Sequence, residues 1–93
     1  MDKELYLASL YDYYKELLTD KQQSYFEDYY FDNLTLSEIS ENNNISRNAV
    51  SKQLLNIKEK LYEYESKLHL YKNNEEIKKR VSNETLQLIE DFI

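Results

Sequence analysis

The sequence predicts an all-α fold, and three observations support that prediction. The 93-residue chain contains no Gly and no Pro, whereas tight β-hairpin turns usually require Gly or Asn-Gly. Leu, Lys and Glu are abundant, and these residues favour helices. Apolar residues recur at three- and four-residue intervals, as on the buried face of a helix. A chain of this length is expected to form one small domain.

The predicted domain, residues 1–93, has two parts. Residues 1–58 form a helix-turn-helix core, with the helix-turn-helix itself at 35–58. Residues 59–93 form a C-terminal helical segment that joins two copies. A small domain buries a limited core, so a second subunit would add to its stability.

The first two helices are predicted from apolar periodicity and capping residues. The first covers Met1 to Leu18, because its leucines and tyrosines fall on one face. Thr19 is the expected N-cap of the second helix, since its hydroxyl can accept a bond from a free backbone N–H. That helix is predicted to run from Asp20 to Phe31. Its tyrosines have two interpretations: core and boundary packing, which we favour, and a platform for stacking bases.

The helix-turn-helix prediction begins with Thr35 and Glu38, which have the spacing of a capping box. The third helix is predicted from Leu36 to Asn42. The asparagines at 42–44 are expected to end it, because Asn tolerates the left-handed backbone of a tight turn. In a helix-turn-helix, the third and fourth helices pack against each other through apolar residues, and a small residue lies where they cross. Here these are Ile39, Ile45, Val50 and Ser40.

The fourth helix, capped by Ser46, has the features of a recognition helix. Arg47 can form two hydrogen bonds to guanine, and Asn48 can address adenine. Lysines suit phosphates, and a helix N-terminus attracts anions. An alternative is that the same packing serves as a protein-binding module. The predicted DNA-binding residues are Ser46, Arg47, Asn48, Ser51, Lys52 and Lys58.

The charge distribution limits where nucleic acid can bind. The formal net charge is −6, which opposes non-specific binding to DNA because that binding depends on cationic surfaces. Residues 1–44 contain three Lys against ten Asp and Glu, whereas residues 45–93 contain nine Lys and Arg against eight acids. A nucleic-acid face must therefore begin near residue 45.

An apolar stripe runs along the fourth helix, which has no breaker before Asn73. From Val50 onward its spacings alternate between four and three residues, as in a coiled-coil seam. We favour pairing between two chains, because so long a helix would extend past a small core. The alternative partner is the last helix of the same chain, predicted from Glu75 to Phe92 with a candidate break at Ser82–Asn83. The predicted homodimer seam is Leu54, Ile57, Leu61, Tyr64, Leu68 and Tyr71.

The sequence contains no recognisable catalytic constellation. Without Cys there is no thiolate metal site, and without Gly there is no phosphate-cradling loop. His69, the only His, is expected to face solvent. We therefore expect no enzyme, no metal, no cofactor and no small-molecule substrate. The carboxylates expected to be solvated helix-surface charges are Glu63, Glu65, Glu75 and Glu76.

The N-terminus, Met1 to Glu4, is acidic and unlike a signal peptide. No stretch is apolar enough over sufficient length to cross a membrane. We expect a cytoplasmic protein with no membrane partner.

The segments LLTDKQ, ISRNAV and YEYESKLHLY, together with the Tyr-rich second helix, resemble the YlxM-like family of small bacterial helix-turn-helix proteins. The resemblance covers nearly the whole chain. It implies a fold similar to region 4 of bacterial sigma factors, with added C-terminal helices. Asn43 stands where relatives usually carry an apolar residue, and Asn44 where they usually carry Gly.

The resemblance also implies a function. Members are expected to take part in the signal recognition particle pathway, and their presumed DNA-facing positions fall on Ser46, Arg47, Asn48 and Ser51. One hypothesis is therefore a dimeric regulator that binds double-stranded DNA and is connected to this pathway. The other is an adaptor that contacts the particle's protein or RNA, with the helix-turn-helix as scaffold only.

Overall fold

The computed structural model describes residues 2–80, and every regular element in that range is a helix. The predicted all-α fold is therefore confirmed. In chain order, the elements are α1 (Lys3–Tyr14), a 3-10 turn (Lys15–Leu17), α2 (Asp20–Tyr30), α3 (Leu36–Asn43), α4 (Arg47–Leu68) and α5 (described from 70 to 80).

Helices α1 to α4 each begin at a side chain that accepts a hydrogen bond from a backbone N–H in the first turn. Thr19 and Thr35 form reciprocal capping boxes with Gln22 and Glu38, so four donors that lack helical partners are satisfied. The predicted starts of α2 and α3 are confirmed. The four N-caps are Asp2, Thr19, Thr35 and Ser46.

α1 is shorter than the predicted helix, which extended to Leu18. The α-helix ends at Tyr14, and Leu18 is extended, with φ −96° and ψ 152°. Gln23 of α2 donates from Nε2 to the carbonyls of Lys15, at 2.8 Å, and Leu18, at 3.3 Å. A side chain from another helix thus holds the end of the 3-10 turn, where the Lys15 carbonyl also accepts from the Leu18 N–H at 2.9 Å.

The remaining bounds differ less. α2 ends one residue before the predicted Phe31, and α3 ends one residue after the predicted Asn42. α5 begins at residue 70, five residues before its predicted start. The candidate break at Ser82–Asn83 and the predicted end of this helix at Phe92 lie outside the described residues.

The core lies where α4 crosses α1 and α2, and tyrosine supplies much of it. Tyr11 stacks on Phe26 with ring centroids 4.2 Å apart and planes only 6° apart. The predicted core packing is confirmed for Tyr11, Tyr14 and Tyr25, whose burial leaves no ring face open to a base. The buried apolar residues are Leu7, Leu10, Tyr11, Tyr14, Leu18, Tyr25, Phe26, Ile39, Val50, Leu54, Ile57 and Leu61.

Three residues of the predicted dimer seam belong to this core. Leu54, Ile57 and Leu61 are 8%, 0% and 0% exposed. They cannot contact a second copy without unfolding, so the predicted intermolecular seam is wrong for them. The four-three spacing is common to a coiled-coil seam and to a helix face that packs on its own domain. Here α1 and α2 supply the apolar partner, rather than a second chain or the last helix.

The other seam residues also contact their own chain, with one exception. The half-buried ring of Tyr64 lies 5.8 Å from that of Tyr14 between centroids. The ring of Tyr71 meets that of Tyr6 edge-on at 5.1 Å. Of the six predicted seam residues, only Leu68 is exposed, at 49%.

The predicted unbroken helix up to Asn73 is also wrong, because a break at His69 separates α4 from α5. His69 has left-handed backbone angles, φ 54° and ψ 31°, and it is exposed as predicted. Glu65, predicted to be solvated, is 8% exposed. That prediction fails because Tyr14 of α1 and the first turn of α5 surround its carboxylate.

Candidate nucleic-acid interface

The candidate interface is built on the turn between α3 and α4. Asn44 ends α3 with left-handed backbone angles, φ 54° and ψ 42°. Its N–H bonds to the carbonyls of Ser40 and Glu41, and the N–H of Ile45 donates to the Ser40 carbonyl at 3.1 Å. The carbonyls of Ser40 and Glu41 are therefore satisfied, and Asn44 performs here the role that Gly usually has in such turns.

The side chain of Asn43 bonds to the backbone of α3 and to a side chain of α2. Its Nδ2 donates to the carbonyl of Ile39 at 2.7 Å. Its Oδ1 accepts from Nζ of Lys21, in the first turn of α2, at 2.6 Å. Lys21 was not predicted to have this role, because no local pattern pairs it with a residue twenty-two positions away.

The two helices grip each other through the residues that the sequence predicted. Ile39 and Val50 are 0% exposed, and Ile45 is half-buried against the core. Ser40 is buried at the crossing, and its Oγ donates to the carbonyl of Ser37 at 2.8 Å. A small side chain lets the helices approach, and its own hydroxyl is satisfied locally, so nothing polar is left unpaired there.

The six predicted DNA-binding residues are all exposed, but the structure brings only five of them together. Ser46, Arg47, Asn48, Ser51 and Lys52 occupy the cap and first two turns of α4. Lys58 lies eleven residues after Arg47, which is about 16 Å further along the helix axis. It lines a shallow cavity of about 240 Å³ beside Tyr29 and Tyr30.

The five clustered residues divide between two directions around α4. At 100° per residue, Asn48 and Lys52 point away from the buried stripe. Arg47 and Ser51 lie on one flank, and Ser51 lines the same cavity as Leu36 of α3. The Ser46 hydroxyl accepts from the Ala49 N–H at 3.0 Å, which leaves its own proton available to a phosphate.

Local charge at this end of α4 contrasts with the acidic chain. From 47 to 58 the helix carries Arg47, Lys52 and Lys58 and no acidic residue. Its first turn contains no carboxylate, so the positive end of the helix dipole is not neutralised locally. Of the two acids on α3, Glu38 is engaged in its capping box. The cations of α4 and the positive end of its helix dipole therefore lie together at the predicted DNA-binding face.

Other kinds of site were sought in the same structure. Across residues 2–80, no helix combines the length and hydrophobicity needed to cross a membrane. Within those same residues, no three His, Asp or Glu side chains group together in a way that would hold a metal ion.

Comparison with known proteins places this helix-turn-helix in a family. Residues 1–91 match the family UPF0122, described as "Putative helix-turn-helix protein, YlxM / p13 like". The chain is 39% identical over 92 residues to UPF0122 protein FN1394 of Fusobacterium nucleatum, covering 99% of this chain and 85% of that protein. It is 43% identical over 76 residues to UPF0122 protein OB1530 of Oceanobacillus iheyensis, covering 82% and 72%.

A third relative is a UPF0122 protein of Mycoplasma capricolum, 45% identical over 75 residues, which cover 81% of this chain and 66% of the relative. The matched residues include the capped α3, the asparagine turn and the first turns of α4. The expected resemblance to the YlxM-like proteins is confirmed. The chain therefore belongs to the UPF0122 family of helix-turn-helix proteins.

Proposed function

We propose that this protein binds double-stranded DNA through the start of α4 and acts as a regulatory protein. One observation carries the proposal. The longest stretch of α4 without acidic residues, 47–58, begins on the exposed side of a well-packed helix-turn-helix. In helix-turn-helix proteins, the N-terminal residues of the second helix contact base edges.

The proposed contacts follow from side-chain chemistry. Arg47 addresses guanine with two hydrogen bonds, and Asn48 addresses adenine, each worth about 1–3 kcal/mol of discrimination against a wrong base. Ser46, Ser51 and Lys52 bind phosphates and set the register of α4 in the major groove. Lys58 is too far along the helix to share the same base pairs, so we assign it to a phosphate further along the duplex.

The acidic remainder of the protein supports specific rather than non-specific binding. Residues 1–44 carry a balance of −7, from three Lys against ten acids, and this surface repels the phosphate backbone. DNA can then approach along one direction only, towards the start of α4. We therefore propose weak binding to arbitrary sequences and appreciable binding only to a duplex that satisfies Arg47 and Asn48.

A homodimer remains part of the proposal, because paired recognition helices read two half-sites of a palindrome. The contact cannot use Leu54, Ile57 or Leu61, which are buried. Leu68 and its neighbour Leu70 are 49% and 43% exposed. We assign the dimer contact to this exposed apolar pair at the junction of α4 and α5.

The test is DNA selection followed by variant analysis. A duplex is selected from a random library with the full-length protein, and its affinity is measured by fluorescence anisotropy. Arg47→Ala and Lys52→Ala should each weaken binding at least fivefold without lowering thermal stability. The matched control is Lys67→Ala, which removes an exposed cation from the far end of the same helix. Equal affinity of all four proteins would refute the proposal.

The second candidate is an adaptor that contacts a component of the signal recognition particle. The acidic surface of α1 and α2 favours it, because that surface suits a basic protein better than DNA. Binding to the particle's protein that survives both Arg47→Ala and Lys52→Ala, together with failure to select any duplex, would favour the adaptor over the DNA-binding protein.

A further inference from the structure

The junction between α4 and α5 contains a buried carboxylate that belongs to neither the core nor the proposed DNA face. Glu65 is 8% exposed. Its Oε1 accepts from the Tyr14 hydroxyl at 2.5 Å and from the Tyr71 N–H at 3.1 Å. Its Oε2 accepts from the Lys72 N–H at 3.2 Å. One carboxylate thus joins α1, α4 and the first turn of α5.

The Tyr14 hydroxyl both donates and accepts a hydrogen bond at this junction. Its hydroxyl donates to Glu65 and accepts from the Leu70 N–H at 3.0 Å. The backbone donors of Leu70, Tyr71 and Lys72 would otherwise be unpaired at the start of a helix. Glu65 and Tyr14 together cap α5 and place a negative charge at the positive end of its dipole.

The local sequence does not favour the bend at His69 between α4 and α5. His69 adopts left-handed angles, φ 54° and ψ 31°, and for a residue with a Cβ that conformation is sterically unfavourable. The chain contains no Gly or Pro to break the helix. The apolar spacing of α4 also continues across the junction from Leu68 to Tyr71.

A straight arrangement would satisfy the same backbone donors in another way. In a continuous helix, the N–H groups of residues 70–72 would donate to the carbonyls of Ser66, Lys67 and Leu68. The bent form replaces those three bonds with bonds to Glu65 and Tyr14. The same three backbone donors can therefore be satisfied in two packings, as a two-state element requires.

We propose that Glu65 and Tyr14 act as a latch that holds α5 bent, and that opening the latch converts α4 and α5 into one continuous helix. When the latch opens, Tyr71 leaves its contacts with Tyr6 and Tyr13, whose rings it now meets at 5.1 and 6.3 Å. An aromatic face of α1 then becomes accessible. Any partner that binds the straight form more tightly shifts the equilibrium towards it. The inference does not depend on the proposed DNA binding.

The experiment measures the distance between α4 and α5 directly. The full chain has no Cys, so Asn56→Cys and Lys78→Cys, both at exposed positions, take two spin labels without competition. A continuous helix separates these backbone positions by about 33 Å, and any bend makes the distance shorter. Pulsed electron resonance should give one short distance for the labelled parent.

Two kinds of variant open the latch. Glu65→Ala removes the acceptor, and His69→Ala disfavours the left-handed residue at the bend. Each should raise the population at about 33 Å at least tenfold, as expected for a straight helix. His69→Gly, which favours the left-handed conformation, should retain the short distance. The matched control is Glu63→Ala, since Glu63 is an exposed carboxylate on α4 that pairs with Lys67.

Two results would overturn the proposal. If Glu65→Ala and His69→Ala both keep the parent's distance, ring packing on α1 holds the bend and there is no latch. If they give a broad distribution with loss of helical circular dichroism, α5 unravels and there is no straight state. Should Glu65→Ala fail to fold, His69→Ala alone decides, because that side chain is exposed.

Discussion

Lys21 donates a hydrogen bond from Nζ to Oδ1 of Asn43 at 2.6 Å, so the first turn of α2 holds the last turn of α3. The same Nζ lies 5.4 Å from the centre of the Tyr25 ring, which adds a cation-π contact. The turn that precedes the candidate recognition helix is therefore held by a residue of another helix.

Asn43→Ala should lower the free energy of unfolding by about 1 kcal/mol, because it removes two side-chain hydrogen bonds at a partly buried site. Urea denaturation measures the change. Asn42→Ala is the control, since Asn42 is exposed one position earlier on α3. If Asn43→Ala loses no more stability than Asn42→Ala, the hydrogen bond to Lys21 does not stabilise the protein.

Asn44→Ala should destabilise the protein by about 1–2 kcal/mol, since Ala is poorly suited to the left-handed conformation at φ 54°. Asn44→Gly should be nearly neutral, because Gly adopts that conformation without steric penalty. Thermal and urea denaturation of the three proteins would establish the order. An Ala variant as stable as the parent would contradict the assigned turn.

Leu61→Ala should lower the free energy of unfolding by about 2–5 kcal/mol, as expected for a core leucine. Leu61→Asp should prevent folding rather than convert a dimer into a folded monomer, because Leu61 is 0% exposed. Leu55→Ala, at an exposed leucine of the same helix, is the control and should change stability by less than about 0.5 kcal/mol. Analytical ultracentrifugation with circular dichroism separates the outcomes. A folded, monomeric Leu61→Asp variant would reinstate the intermolecular seam.

The protein should lose stability as the pH rises from about 10 to about 12. Burial, reinforced by the hydrogen bond to Glu65, raises the pKa of Tyr14 from 10.0 to about 12. Burial likewise raises the pKa of Tyr11, and its hydrogen bond to Glu27 adds to the effect. Below about pH 10 these tyrosines are protonated in both states, so the full stability is present. At higher pH the unfolded chain loses its protons first, and the free energy of unfolding falls.

Tyrosinate absorbance measured against pH checks this expectation. The folded protein should titrate later than the same protein in urea, and Tyr14→Phe should remove part of the late phase. Superimposable curves for the folded and unfolded parent would contradict the burial of these hydroxyls.

Binding to a selected duplex should weaken steeply with salt. Each phosphate contact contributes about −0.9 to the slope of log affinity against log salt concentration. Lys52→Ala and Lys58→Ala should each make the slope shallower by about 1. Lys67→Ala should leave it unchanged. A slope insensitive to Lys58 would restrict the DNA contact to the first turns of α4.

Local signals predicted much of this protein. The spacing of Thr35 and Glu38 determines the start of α3, and Ser46 determines the start of α4, because a cap satisfies backbone donors only a few residues away. Ile39, Ser40 and Val50 were recognisable from chemistry and position alone. The sequence also shows that all charged residues from 47 to 58 are cations. Such features depend on residues only a few positions apart, so their spacing is visible in the sequence.

Only the tertiary structure decided what the apolar stripe of α4 packs against and where α4 ends. The spacing of Leu54, Ile57 and Leu61 suits a second chain and the protein's own core equally well, and the packing of α1 and α2 resolved that choice. The bend at His69 depends on Tyr14, fifty-one positions before its partner Glu65. A contact over that separation leaves no periodic or local mark in the sequence, because it exists only once the helices have packed.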